Sequence, residues 1–349
     1  MRRIRTVLGD LSPEDLGRAN THEHVFQVSP LLPGDEIDDP QRSAQEIASL
    51  RDSGFEAMID ATPIGLGRRP RDLAAISRDT GVHVVATTGF HRDAHYGGGP
   101  ETDPLLGLDV QQRTARMLAD VEQGMTVDDR DPSAGRTDVP AGVLKVGIEY
   151  WDITPDEART IEAIGAVHRR TDAPVLVHLE FCTAAHEVLT ALEGNGVDPS
   201  AVLLAHADRA PDLGLHQELI DRGAMLGFDG MARSRVRTDQ ELLEHTEALL
   251  AAGRTRIGLG GDVARARRYR AYGGMPGLAY LGERYLPRLR RRIGDQALHQ
   301  LLVENPQHYL ARNYPPRTNG TDGPTLTAAG DPPTAADGPT PTAADREVA

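Results

Sequence analysis

Cysteine is all but absent from this 349-residue chain: Cys182 stands alone, which excludes an intramolecular disulfide and a cysteine-based zinc site. Long apolar runs are missing too. Nowhere do the ~20 consecutive apolar residues of a membrane helix occur. The basic start, Met1-Arg2-Arg3-Ile4-Arg5-Thr6, has no apolar run behind it and does not read as a secretory signal. The cytoplasm is the expected location. Positive charge is scarce: 38 Lys and Arg face 52 Asp and Glu, for a formal net charge of -14. That balance argues against a nucleic-acid surface, which wants clustered cations; a short arginine cluster at 265–270 is the exception. From Pro315 onward apolar residues nearly vanish, and Pro, Thr, Gly, Ala and Asp dominate. The near-repeats Pro333-Thr334-Ala335-Ala336-Asp337 and Pro341-Thr342-Ala343-Ala344-Asp345 fall in this stretch. Residues 315–349 are therefore expected to form a disordered tail, and 1–314 the folded part.

The rest has the makings of a globular core, with 39% hydrophobic and 26% charged residues. Short apolar runs alternate with amphipathic stretches. Strands are expected at 17–26, 55–62, 82–89, 143–149, 174–180, 202–208, 224–229 and 256–262. Helices are expected between them, for instance at 155–170, with Thr154 as N-cap and Pro155 in the first turn, and at 240–252. Strands alternating with helices imply parallel pairing, and a length of ~310 residues suits an α/β fold of the (β/α)8 TIM barrel type. An open doubly wound sheet is the rival, but it calls for a glycine-rich turn after the first strand, and none is there.

Ionisable residues sit where such a barrel has its mouth. The first run carries Thr21-His22-Glu23-His24; residues two apart on a strand share a face, so His22 and His24 project together. His178 and His206 close the fifth and sixth runs, Asp262 ends the eighth, and Lys145 lies inside the fourth. Each has an ordinary explanation: a histidine bonded to a carbonyl, a lysine paired with Glu149, an aspartate capping a helix. Their coincidence at one end of one architecture favours a single metal centre, because an isolated polar residue in an apolar run is costly. Imidazole and carboxylate suit zinc and similar divalent ions. A protonated lysine repels a cation, so Lys145 fits only when deprotonated or converted by carbon dioxide to a carbamate, which can bridge two metals ~3.5–4 Å apart.

At these residues the chain resembles the phosphotriesterase family of the amidohydrolase superfamily over residues 4–312. The motifs include Val7-Leu8-Gly9, Asp15-Leu16-Gly17, Thr21-His22-Glu23-His24, Pro63-Ile64-Gly65-Leu66-Gly67-Arg68, Thr88-Gly89-Phe90, Leu144-Lys145-Val146 and Glu304-Asn305-Pro306. Among its members the motifs are most similar to the phosphotriesterase homology proteins and sugar-phosphate lactonases. The resemblance implies a more buried metal on His22, His24 and Asp262 and a more exposed one on His178 and His206. Carboxylated Lys145 and a hydroxide would bridge two divalent ions, with zinc the expected identity. It implies a hydrolase in which that hydroxide attacks an ester or lactone and Asp262 accepts the proton.

For the substrate, the resemblance places phosphate-holding cations at Arg265 and Arg233, with Tyr269 beside them. Arginine suits phosphate through its planar fork, although an arginine-rich loop is as often a solvated surface. His91, Asp93 and His95 follow the third strand and are expected to line the pocket, His91 foremost; Trp151 offers an apolar wall or plain loop packing. The expected substrate is a small-molecule ester or lactone, with a phosphorylated sugar lactone as one form and an organophosphate triester as the alternative. A non-catalytic metal- or ligand-binding barrel is the rival class. No nucleic-acid or membrane partner is expected, and a homodimer is the one self-association considered.

Overall fold

The structure is a computed structural model that describes residues 2–99, 101 and 103–317. Eight parallel strands run in sequence order: β1 Ala19–Glu23, β2 Ala57–Asp60, β3 His83–Phe90, β4 Val143–Ile148, β5 Val175–Leu179, β6 Val202–Ala205, β7 Met225–Phe228 and β8 Ile257–Leu259. Eight helices follow them in turn: α1 Pro40–Asp52, α2 Pro70–Thr80, α3 Val110–Glu122, α4 Pro155–Thr171, α5 Ala185–Gly194, α6 Leu213–Asp221, α7 Asp239–Ala251 and α8 Leu286–His299. The backbone N–H groups of Gly261 and Asp262 donate to His22 O at 3.3 and 3.0 Å, which brings the end of β8 onto β1. This is the (β/α)8 barrel the apolar periodicity implied. Glycine makes the seam possible. A Cβ at Gly258 would meet the Thr21 side chain at 3.0 Å, and one at Gly260 the His22 backbone at 2.9 Å.

Local signals account for the helices. Thr154 and Glu157 form a reciprocal capping box at the start of α4, with Pro155 in the first turn. Thr238 and Glu241 do the same for α7. Except for β3, which keeps its full length, the strands are shorter than the apolar runs that announced them, because the last residues of those runs peel away from the ladder. His24, His206 and Asp262 all lie just past a strand, the last two with left-handed φ of 62° and 42°.

Side-chain alternation divides the core. Leu144, Val146, Val175, Val177, Leu204 and Leu226 face outward into the layer beneath the helices. Ala19, Ile59, Val85, Val143, Leu176, Leu203 and Met225 fill the barrel, closed from below by Ile4, Leu16, Tyr309 and Leu310. The lower plug is fixed by Asn305, whose Nδ2 donates to Thr255 O and Ile257 O at 2.6 and 2.8 Å. Arg5 Nη2 donates to Pro315 O at 3.0 Å, and Arg317 Nη2 to Gln123 O at 3.1 Å, so the chain is held against the barrel through these residues. The rest of the expected tail, 318–349, lies outside the described residues. Among the described residues no helix is long and apolar enough to cross a membrane.

Candidate metal centre

Two residues beyond Val143 on β4 stands Lys145, and two beyond Leu176 on β5 stands His178. The same inward face thus changes from apolar to ionisable on approaching the mouth. His22, His24, Lys145, His178, His206 and Asp262 all line one cleft of about 140 Å³, with His91, His95, Arg92, Glu180, Arg209, Arg233 and Arg265 around them. Roomier hollows of about 500 and 530 Å³ lie along α8, outside the barrel, and contain none of these groups.

The imidazoles are oriented one by one. His24 Nδ1 donates to Thr62 Oγ1 at 2.8 Å, and the Thr62 hydroxyl donates onward to Phe26 O at 2.7 Å. His206 Nδ1 donates to Asp229 Oδ1 at 2.6 Å, and His178 Nε2 to Glu180 Oε1 at 2.8 Å. Each ring therefore keeps its second nitrogen as a lone-pair donor, the arrangement in which an outer partner fixes the tautomer of a ligating histidine. Those lone pairs form two groups. His22 Nε2 and His24 Nε2 lie 3.9 and 3.8 Å from Asp262 Oδ1. His178 Nδ1 and His206 Nε2 face each other at 2.8 Å. Two facing lone pairs repel unless a proton or a cation lies between them, and burial drives His24, His178 and His206 toward the neutral form, His206 down to about 4. The donor set fits divalent cations.

His22, His206 and Asp229 also bring ligand-type atoms within 4.8 Å of one another. The Asp229 carboxylate is already engaged, however. Oδ1 takes the His206 ring proton, and Oδ2 the His206 backbone N–H at 3.1 Å. His22 Nδ1 lies 3.3 Å from that Oδ2 but out of line for a hydrogen bond, and it is a buried ring nitrogen without a partner. Asp229 orients the His206 ring.

Lys145 is fully buried, with Nζ donating to Ala61 O at 2.5 Å. Burial lowers its pKa to about 8, while Asp262, Asp60 and Asp229 work against the fall. Among the 38 lysines and arginines of the chain it is the single lysine. Arginine is always charged, whereas lysine can lose its proton. Glu149, its alternative partner from sequence, bonds Arg92 instead, at 2.9 Å.

The expected substrate contacts separate. Arg233 reaches the cleft but its Nη2 rests on Asp262 Oδ2 at 2.5 Å, beside Arg209 Nη2 at 2.8 Å on the same oxygen. Burial pushes the Asp262 carboxyl up, and Arg233, the neighbouring imidazoles and Arg209 overcome that to hold it well below the usual carboxylate range. Arg265 lines the cleft, 3.7 Å from Asp35. Its neighbours divide: Arg267 shares Asp35 with it, Arg268 Nη1 donates to Asp262 O at 3.0 Å, and Arg270 pairs with Glu283. Tyr269 does not line the cleft. It is fully buried behind the site, and its hydroxyl donates to the His24 carbonyl, a structural support for a ligand. His91 lines the cleft and packs its ring 4.4 Å from that of His178, and His95 stacks on His91 at 3.8 Å. Asp93 is not among the lining residues, and Trp151 is 68% exposed on the rim. The sequence reading passed over Asp229, Glu180, Arg92 and Arg209. Asp229 ends its run as the ligands end theirs, and Glu180 follows His178 at the i, i+2 spacing of His22 and His24.

The fold and the ionisable groups gathered at its mouth define a barrel hydrolase, and comparison with known proteins agrees. The model of the phosphotriesterase family matches residues 2–310. A phospho-furanose lactonase of Mycoplasmopsis synoviae is 29% identical over 332 residues, covering 89% of this chain and 94% of that one. A lactonase structure from Listeria monocytogenes superposes with a TM-score of 0.80 at 30% identity, covering 89% of this chain and 99% of the other. The phosphotriesterase homology protein from Escherichia coli, solved with phosphate in its active site, gives a TM-score of 0.76 at 29% identity, with 85% and 99% covered. The chain belongs to the phosphotriesterase family.

Proposed function

We propose that this protein is a binuclear-metal hydrolase that cleaves a carboxylic ester or lactone, the substrate carrying an anionic group such as a phosphate. The observation that carries the reading is the convergence of four imidazole lone pairs and one carboxylate oxygen in a single cleft that the chain's single lysine also lines. His22, His24 and Asp262 would hold one cation, and His178 and His206 the other. Lys145, neutral for part of the time near pH 8, would add its nitrogen to carbon dioxide and release a proton, giving a carbamate whose two oxygens reach both sites. Two such cations, zinc in the first instance, would lower the pKa of bound water and polarise the bond to be broken. The protein's own part is orientation. Asp229, Thr62 and Glu180 set the ring planes, Tyr269 fixes the His24 backbone, and Arg233, Arg209 and Arg265 make the mouth cationic on the side of β6 to β8. That cationic side, together with relatives named for phosphorylated furanose lactones and for bound phosphate, supports an anionic substrate. The same centre suits an organophosphate triester, which stands as the alternative.

Zinc-reconstituted protein assayed against phosphorylated and unphosphorylated lactones, simple esters and a phosphate triester tests this. Turnover is expected to be highest on a phosphorylated lactone. Arg265→Ala should lower kcat/KM for that substrate by tenfold or more and leave unphosphorylated ones within about threefold, in keeping with the ~1.5–3 kcal/mol of a hydrogen bond to a charged group. Equal losses on both would remove the anion assignment. Stoichiometric metal without turnover on any member of the panel would leave a binding barrel.

A further inference from the structure

We infer that Glu180 is the positioning residue for His178, and that, through Arg92, the loops after β3 and β4 govern how tightly the second cation is held. This rests on the two-cation reading above. Glu180 Oε1 is shared, taking the His178 Nε2–H at 2.8 Å and Arg92 Nη2 at 2.8 Å. Arg92 Nη1 in turn donates to Glu149 Oε1 at 2.9 Å, so a chain of charge runs from a ligand to the rim. Glu180 is held in place by a constrained turn. Phe181, Cys182 and Ala184 have positive φ of 54°, 56° and 54°, a conformation that costs L-residues energy and persists where surrounding contacts impose it. Thr183 supplies those contacts: its hydroxyl donates to Glu180 O at 2.6 Å, and Trp151 N donates to its Oγ1 at 3.0 Å, tying the loops after β4 and β5 together. On its other side, the His178 ring packs against His91.

The two cation sites depend on such support unequally. His22, His24 and Asp262 provide three ligand atoms of their own. The second site has only two imidazoles beside the shared lysine, so the direction of the His178 lone pair decides it. Removing an orienting carboxylate from a ligating histidine typically weakens metal affinity ~10–100-fold. The loss here should fall on one ion of the two.

Two readouts test the inference. In the metal-free protein, nitrogen-15 NMR of the histidine side chains should find His178 as the Nε2–H tautomer, turning to a mixture in Glu180→Ala and staying Nε2–H in Glu180→Gln, whose amide oxygen accepts the same proton. In zinc titrations of the full chain, wild type should bind two ions. Glu180→Ala should keep the first and bind the second ~10–100-fold more weakly, Glu180→Gln should stay within a few-fold of wild type, and Arg92→Met should lie between. Melting curves verify that each variant is folded, and Arg92→Met, which leaves His178 and Glu180 in place, carries the test should Glu180→Ala fail to fold. An unchanged tautomer with unchanged affinity for both ions in Glu180→Ala overturns the inference, as does an equal effect of Gln and Ala. Wild type binding fewer than two ions sinks the two-cation reading instead, and the tautomer measurement still decides the role of Glu180.

Discussion

The lower and upper halves of one barrel interior are built on the same strands, the same face and nearly the same backbone, yet they do opposite things. Val143 and Leu176 are packed among Ile59, Val85, Leu203 and Met225 and closed off by Tyr309 and Leu310. Their neighbours two residues onward, Lys145 and His178, open onto a cleft ringed by ionisable groups. The lower half needs nothing beyond volume and apolar surface. Every polar group in the upper half needs a named partner, because an unpaired one in that setting would cost several kcal/mol. The difference explains why the strands end where they do. Left-handed residues at His206 and Asp262 turn the chain off the ladder so that a side chain can point across the mouth.

Substitutions on either side of that divide should separate stability from function. The largest effect is expected from Asp262→Asn and Lys145→Ala. Both should reduce turnover by more than the ~100-fold that marks loss of a mere orienting partner, with melting temperature little changed; steady-state kinetics beside a melting curve will show it, and near wild-type activity in both would break the comparison. Asp229→Asn leaves one acceptor oxygen for the two N–H groups of His206, ring and backbone, that the carboxylate takes. A loss of ~10–100-fold in metal affinity is expected there, measurable by zinc titration. Leu176→Ala, one layer down, should destabilise the fold by ~2–5 kcal/mol in denaturant unfolding while leaving zinc stoichiometry unchanged.

The smallest effect concerns pH in metal-free protein. His206 and His216 have pKa values lowered from 6.5 to about 4, and His24 and His178 are lowered well below 6.5, all by burial first of all. A depressed histidine is neutral in the fold and charged in the unfolded chain below 6.5, so its stabilisation is present above that value and is lost as pH falls toward 4. Glu23 and Asp60, raised to about 8 and about 6 by burial, act in the opposite sense. Among the described residues nine histidines are lowered against five carboxyls raised, so the melting temperature should drop between pH 6.5 and 4, and zinc loading before acidification should delay the drop. A flat profile in metal-free protein would contradict the neutral-imidazole arrangement.

Much of this was legible in the amino-acid string. Eight apolar runs gave eight strands, and the polar residues in or at the end of five of them converge at one mouth because all strands of a parallel barrel point the same way. Thr154 and Pro155 announced the start of α4. The partners were harder to see. Asp229 bonds across strands and Glu180 two residues along its own segment, marked only by a strand-end place and an i, i+2 spacing. Arg233 and Arg265 were legible as cations near the mouth, but their hold on Asp262 and Asp35 depends on loop paths that pattern does not encode. Tyr269 was misplaced for the same reason: the loop after β8 folds inward there and buries the ring behind His24.

The central claim is that the mouth holds two cations, and anomalous diffraction from zinc-loaded crystals tests it most directly. The account predicts two peaks ~3.5–4 Å apart, one among His22 Nε2, His24 Nε2 and Asp262, the other against His178 Nδ1 and His206 Nε2, with extra density on Lys145 Nζ between them. A single peak, or one seated on Asp229 with Lys145 unmodified and turned away, would contradict it.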